Sequence, residues 1–325
     1  MRIGKISENT LKRSVLKNTY TTGNRLVHGA SLRDNCAVFS YGEEFALAST
    51  HQVLLTNPED SLRFSIIRGV NNIYAQGGKP EAVQLALLLP ENMEEPELSD
   101  LMKAAARTAK ELEISVSGGS TKTDKRIKEP VISVTVIGSR KEKDLPEVKA
   151  GWDILLTRPI ALSGTAILAK EKEEELKKRY PSRYIEEAKV FDRDLILLPE
   201  AATAMKSFPC RMFSVTEGGI FGCLWEAARI AGVGLEIELK KIPIRQESVE
   251  ICDFLGINPY ELMSDGTMLV MTPDGEGYKD ALSEEGVEAV LIGTTKANND
   301  KIILNDDEVR YIDKPAADSI YILFE

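Results

Sequence analysis

The chain has 325 residues, 51 of them acidic and 41 basic, for a formal net charge of −10 at pH 7. That balance argues against broad nucleic-acid or anionic-membrane binding, both of which lean on a basic face, so an anionic ligand has to be held by local geometry. The length favours two domains over one, and 43% hydrophobic with 28% charged residues is an ordinary globular composition.

The first residues, MRIGKISENTLKRSVLKN, are positively charged but contain no apolar core segment, so they do not read as a signal peptide. DNCAVFSYGEEFALAST (34–50) predicts two short strands around a Tyr-Gly-Glu-Glu turn. Next comes LRFSIIRGVNNIYAQGGKP, where Leu62, Ile66, Ile67, Val70, Ile73 and Tyr74 recur at helical spacing. Gly77, Gly78 and Pro80 stop that helix. AVQLALLL reads as a buried strand; with its following proline it is still too short to cross a bilayer. ELSDLMKAAARTAKELE reads as an amphipathic helix. ISVSGG and PVISVTVIG read as two further strands, with STKTDKRIKE as the loop between them.

The charged, proline-containing stretch SRKEKDLPEVKAG marks the domain boundary, giving residues 1–150 and 151–325. The second half opens with the strand WDILLTRP and a helix running from SGTAILAK into EKEEELKKRY, whose charge run predicts a solvated face. A helix after TEGG, strands near GLEIEL and TMLVMT, a helix near GYKDALSEEG, and the strands VEAVLIGTT and KIILND complete the reading. Irregularly alternating strands and helices in both halves give an α/β (α+β) class. Cys36, Cys210, Cys223 and Cys252 include no C-x-x-C pair, and the histidines are only His28 and His51. This predicts buried, reduced thiols in a cytoplasmic protein and argues against a zinc site.

Four stretches in order resemble a single family. VNNIYAQGGKP resembles the VNDLAAMGAKP-type helix end of the AIR-synthase-related superfamily, SVSGGST its GGDT loop, and SVTEGG its DPTEGG turn. The run from GGIFGCLWEAARIAGVG to MSDGTMLV is similar to the HypE hydrogenase-maturation branch, including a counterpart of its ASEGTLL. Selenophosphate synthetase and thiamine-phosphate kinase share this architecture.

The resemblance implies a two-domain chain whose N-terminal sheet pairs with a second copy to form a homodimer, with ATP along the dimer groove. It places Asp34, Asn35, His51, Asn72, Gly118, Gly119, Ser120, Thr121, Ser214, Thr216, Glu217, Gly218 and Gly219 around the nucleotide. In HypE proteins, ATP phosphorylates a carbamoyl group carried on a C-terminal cysteine, and loss of phosphate leaves a thiocyanate.

Phosphoryl transfer needs magnesium, and magnesium needs hard oxygen ligands, mostly carboxylates. At five positions where the family carries aspartate this chain has Asn35, His51, Asn72, Ser120 and Ser214. The tail DKPAADSIYILFE carries no cysteine. The expectation is therefore a dimeric binding or scaffold protein that holds ATP, another nucleotide or a protein partner, without magnesium-dependent turnover. The alternative is an ATP-dependent enzyme acting on a small metabolite and relying on the carboxylates of Asp34, Glu217 and Asp265. Glycines 118, 119, 218 and 219 could present N–H groups to an anion or simply shape turns. Lys122, Lys125 and Arg126 offer either fixed positive charge or a solvated loop.

Overall fold

The computed structural model describes residues 3–32, 35–141, 145–315 and 317–324. They fall into two compact units, Tyr20–Asp144 and Leu145–Glu325, and the segment Met1–Thr19 belongs to the second. That segment carries a short helix, α1 (Glu8–Thr10), capped by the Ser7 hydroxyl.

The unit 20–144 contains a sheet of β1 (Leu26–His28), β2 (Ala37–Tyr41), β3 (Glu44–His51), β4 (Lys79–Leu89), β5 (Ser115–Thr123) and β6 (Val131–Arg140). Its order is β1-β2-β3-β6-β4-β5, antiparallel throughout except for the parallel pair β4–β5. Two helices, α2 (Pro58–Ala75) and α3 (Glu95–Glu111), belong to the same unit. Burial alternates strictly along β6, as a strand covered on one face requires. Helix α2 starts at an Asn57 cap with proline in its first turn. It crosses β6 so closely that a Cβ on Gly69 would lie 2.5 Å from Val136 Cγ2. The other sheet face keeps Ala46, Ala48, Ser133 and Thr135 half-buried and Thr50 and Ala86 exposed, while every residue of edge strand β5 is exposed.

The second unit is built around β7 (Asp153–Thr157), β8 (Arg211–Val215), β9 (Gly234–Glu238), β10 (Thr267–Thr272), β11 (Ala289–Lys296), β12 (Lys301–Asn305) and β13 (Glu308–Tyr311). The order is β13-β12-β9-β11-β7-β10-β8, with β9–β12 the parallel pair. All six residues of β10 are buried, so both of its faces are covered, which is why TMLVMT reads as a continuous apolar run. The helices are α4 (Leu162–Glu171), α5 (Glu173–Leu176), α6 (Ser182–Lys189), α7 (Leu198–Ser207), α8 (Gly219–Ala231), α9 (Gln246–Leu255) and α10 (Gly275–Glu284).

Two local readings change. The helix expected from SGTAILAK through EKEEELKKRY breaks at Lys172, whose backbone (φ −111°, ψ 23°) leaves the helical region. Beyond the break the charge run does lie at the surface, where Lys177 and Lys189 both pair with Glu173 at 2.9 and 2.7 Å. The loop expected at STKTDKRIKE is shorter: β5 continues from ISVSGG through Thr123, and the turn is confined to residues 124–130.

All four cysteines are buried free thiols. Burial pushes Cys210 and Cys252 up to about 12. Among the described residues no helix is long and apolar enough to cross a membrane.

Candidate functional site

In the unit 20–144 the two-residue period of β3 turns Ser49 and His51 toward the same face as Leu47. Asn72 follows Gly69 by three positions on α2, so it rides the face that approaches the sheet most closely. The three side chains meet. His51 Nε2 lies 2.7 Å from Ser49 Oγ, and Asn72 Nδ2 lies 2.9 Å from the same nitrogen and 3.4 Å from Ser49 Oγ. Ser49 Oγ also donates to the Asn35 carbonyl at 2.9 Å.

Three of the sequence-derived positions (35, 51 and 72) therefore converge, linked through the Asn35 carbonyl, the Ser49 hydroxyl, the His51 ring and the Asn72 amide. Ser49, which the sequence reading missed, ties them together; its place two residues before His51 on an alternating strand was the available clue. Ser49 and Asn72 share one ring nitrogen of His51, and Ser49 is 1% exposed. Asp34 lies outside the described residues. Among the described residues no group of three or more His, Cys, Asp or Glu is placed to hold a metal.

Gly118, Gly119, Ser120 and Thr121 stand on the exposed edge strand. The β4–β5 register slips between Val83 and Gln84, and Ser117 Oγ bonds Val83 O at 3.2 Å. The two glycines follow this bulge. A Cβ on Gly119 (φ 151°) would lie 1.8 Å from Leu85 O, so glycine is needed there for strand approach rather than for a turn.

Register links the two groups: His51 pairs with Val134, Val134 with Leu85, and Leu85 with Gly119. Both ends lie in one cross-sheet row, three strand spacings or about 14 Å apart. A single ion cannot bridge them; an extended ligand could. Of the nearby cations, Arg126 is engaged by Asp124 at 2.5 Å, an exposed pair.

The Thr216–Gly219 turn lies in the other unit. Gly218 (φ 86°) caps α8 and Gly219 (φ 63°) follows it; a Cβ on Gly219 would lie 2.4 Å from Tyr260 O. The amides there have partners within the chain. Gly219 N–H donates to Thr216 O at 3.1 Å, and Gly218 N–H donates to Asp318 Oδ2 at 2.6 Å. Asp318 is 1% exposed, and its other oxygen accepts from Ile320 N–H at 3.0 Å.

Burial pushes the Asp318 carboxyl up to about 7 against the pull of the Gly218, Ile320 and Met263 amides, and neighbouring Glu217 pushes the same way. The sequence offered little warning of this contact, which spans a hundred positions. Ser214 is buried on β8, and its hydroxyl has no hydrogen-bond partner among the described residues. Asp265 is fully buried and accepts from Ser163 Oγ at 3.3 Å. Beside the start of α8 is a cavity of about 320 Å³ lined by Gly218, Phe221, Gly222, Tyr311, Lys314 and Ala317, among others. The Phe221 ring stacks on Tyr260 with centroids 5.2 Å apart.

Residues 33–139 match the AIR synthase related protein N-terminal domain and residues 149–305 its C-terminal domain. A putative hydrogenase expression/formation protein of Methanocaldococcus jannaschii is 28% identical over 98% of this chain and 96% of its own length. The carbamoyl dehydratase HypE of Azotobacter vinelandii is 24% identical over 72% of this chain and 69% of its own length. Among solved structures, E. coli HypE superposes with a TM-score of 0.70 at 19% identity, covering 84% of this chain and 87% of that one. AaThiL complexed with AMPPCP and TMP gives 0.72 at 18% identity, covering 97% of each.

Proposed function

The chain belongs to the AIR synthase related family, and from that premise we propose that it is a HypE-like, homodimeric member that binds a nucleotide or a similar anion without magnesium-dependent turnover of ATP. The observation that carries this reading is the Ser49–His51–Asn72 cluster. It gathers a hydroxyl, an imidazole and a carboxamide where a magnesium site would present carboxylate oxygens. Imidazole and amide groups do not fit a hard dication whose charge must be neutralised, and on this reading the cluster takes no part in phosphoryl transfer.

Nucleotide binding is supported by two solved relatives of the same fold, AaThiL complexed with AMPPCP and TMP, and a HypE in complex with ATP. Pairing with a second copy is supported by the half-open sheet face and by edge strand β5, whose outward backbone groups can pair with another chain. A protein partner in hydrogenase maturation is supported by the relatives' names and by a solved HypE–HypF complex.

Calorimetry with ATP, with and without magnesium, tests the reading. Binding of similar strength in both, with no ADP released, is the expected result. Binding that requires magnesium and is followed by ADP release would favour the second reading, an ATP-dependent phosphorylation or dehydration of a small metabolite. The nucleotide complexes of the structural neighbours give that reading its support.

A further inference from the structure

The turn between β7 and α4, Arg158-Pro159-Ile160-Ala161, carries backbone strain at both ends. Among the described residues, four that are not glycine take a positive φ, and two of the four bracket this turn: Arg158 at 61° and Ala161 at 62°. A side chain in the left-handed region crowds the following carbonyl, a cost that glycine would not incur. Such strain persists where the surroundings over-determine it, and it gathers at functional sites.

At Arg158 the side chain supplies the restraint. Its Nε lies 2.7 Å from Glu200 Oε1, and Nη2 donates to Glu200 Oε2 at 3.3 Å. Nη1 donates to Asp194 O at 2.8 Å and lies 3.3 Å from the Asp194 carboxylate, while Nη2 also donates to Ile196 O at 3.0 Å. Acceptors therefore face all five N–H groups of the guanidinium. Glu200 is fully buried on α7, so losing this grip would strand a carboxylate away from water.

The far end of the turn reaches the Thr216–Gly219 turn through one loop. Ala161 N–H donates to Ser264 Oγ at 2.8 Å, and that hydroxyl donates to Leu262 O at 2.9 Å. A Cβ on Gly219 would lie 2.8 Å from the same carbonyl oxygen, so Gly219 rests directly on this loop. Ala161 has no side chain to cap α4, and the loop does so instead: Gly164 N–H donates to Met263 O at 3.1 Å. Asp265 N–H adds a second tie by donating to Ser163 Oγ at 2.8 Å. A shift at Ala161 is therefore passed to residues 262–265 and on to Gly219.

We propose that Arg158 is a positioning residue for the Thr216–Gly219 turn: its grip on Glu200 keeps the β7–α4 turn left-handed, and Ser264 and Leu262 carry that placement to Gly219. Its effect on binding rests on the reading of the Thr216–Gly219 turn as part of the nucleotide site; its placement of Gly219 does not.

Amide hydrogen exchange on the full chain, paired with ATP titration in magnesium-free buffer, tests this role. Arg158→Ala removes the grip and keeps the strain. Opening at the Ala161 and Gly219 amides should rise roughly tenfold and ATP affinity should fall by a similar factor, while the amides of β9 stay protected and report an intact fold. Arg158→Gly also removes the grip, but glycine takes a left-handed φ without strain. It should bring both amides and the affinity back to within about threefold of wild type, a recovery that a pair serving only global stability would not show. If Arg158→Ala does not fold, Arg158→Lys takes its place: it keeps a cation for Glu200, cannot reach both loop carbonyls, and should open further than Arg158→Gly. Wild-type protection of Gly219 in the alanine or lysine variant, or opening in Arg158→Gly as large as theirs, would overturn the proposal. Wild-type protein that binds no ATP would instead sink the nucleotide reading, and the exchange results would still decide the placement.

Discussion

The Ser49–His51–Asn72 cluster and the Asp318 clasp, in which the carboxyl accepts from the Gly218 and Ile320 amides, both hold polar groups away from water. In the cluster a hydroxyl, an imidazole and a carboxamide lie within hydrogen-bonding distance of one another, which offsets part of the cost of leaving water. In the clasp one group can carry a full charge, and backbone amides offset only part of its desolvation. The lesson is that two equally well-bonded sites differ in what solution conditions can do to them. At the clasp the condition that matters is pH.

The largest expected effect comes from titrating the clasp. A carboxyl whose folded value lies above its unfolded one stabilises the fold below the unfolded value, and that contribution is lost as pH rises through the folded value. For Asp318, raised from an ordinary 3.8 to about 7, stability should fall on the order of 3–4 kcal/mol across that window. Urea unfolding at a series of pH values should show the decline in the wild type and its flattening in Asp318→Asn.

The next effect would remove the contrast by charging the cluster. His51→Asp combined with Asn72→Asp puts two carboxylates where an imidazole and a carboxamide now meet. Repulsion and burial should lower stability by about 3 kcal/mol in chelator. Millimolar magnesium should restore a measurable part of it, read as a shift in melting temperature between the two buffers. No recovery would mean that the backbone at this site is wrong for a cation whatever its side chains.

A smaller loss is expected from Asn72→Ala, which leaves His51 and Ser49 short of a partner at about 1–2 kcal/mol in thermal unfolding. Arg126→Ala sets the baseline: its pair with Asp124 stands in solvent, and the melting temperature should not move.

Much of this organisation was legible from local periodicity. β3 and β6 alternate, α2 repeats its apolar residues at helical spacing, and TMLVMT reads as a continuous apolar run because β10 is covered on both faces. Positions 35, 51 and 72 were singled out and do meet. What escaped has physical causes. Gly118-Gly119 looks like a turn in a linear string, yet glycine is equally what a strand needs when its neighbour's carbonyl comes within reach. The break at Lys172 leaves no proline or glycine to mark it. Asp318 finds Gly218 a hundred positions away, with no local pattern to announce the contact. Ser49 is an unremarkable strand residue until α2 is laid across the sheet.

The early segment that belongs with the late unit has a consequence for synthesis. Lys5 pairs with Glu226, and Glu8 with Arg229 at 3.9 Å, both contacts spanning 221 positions. The strands and helices of residues 20–144 can therefore pack as they emerge, whereas Lys5 and Glu8 must wait, tethered, until α8 has been made. Each new chain passes through a stage in which a finished body sits between two unfinished halves of another, and during that interval its exposed start is open to proteases and to the wrong neighbour.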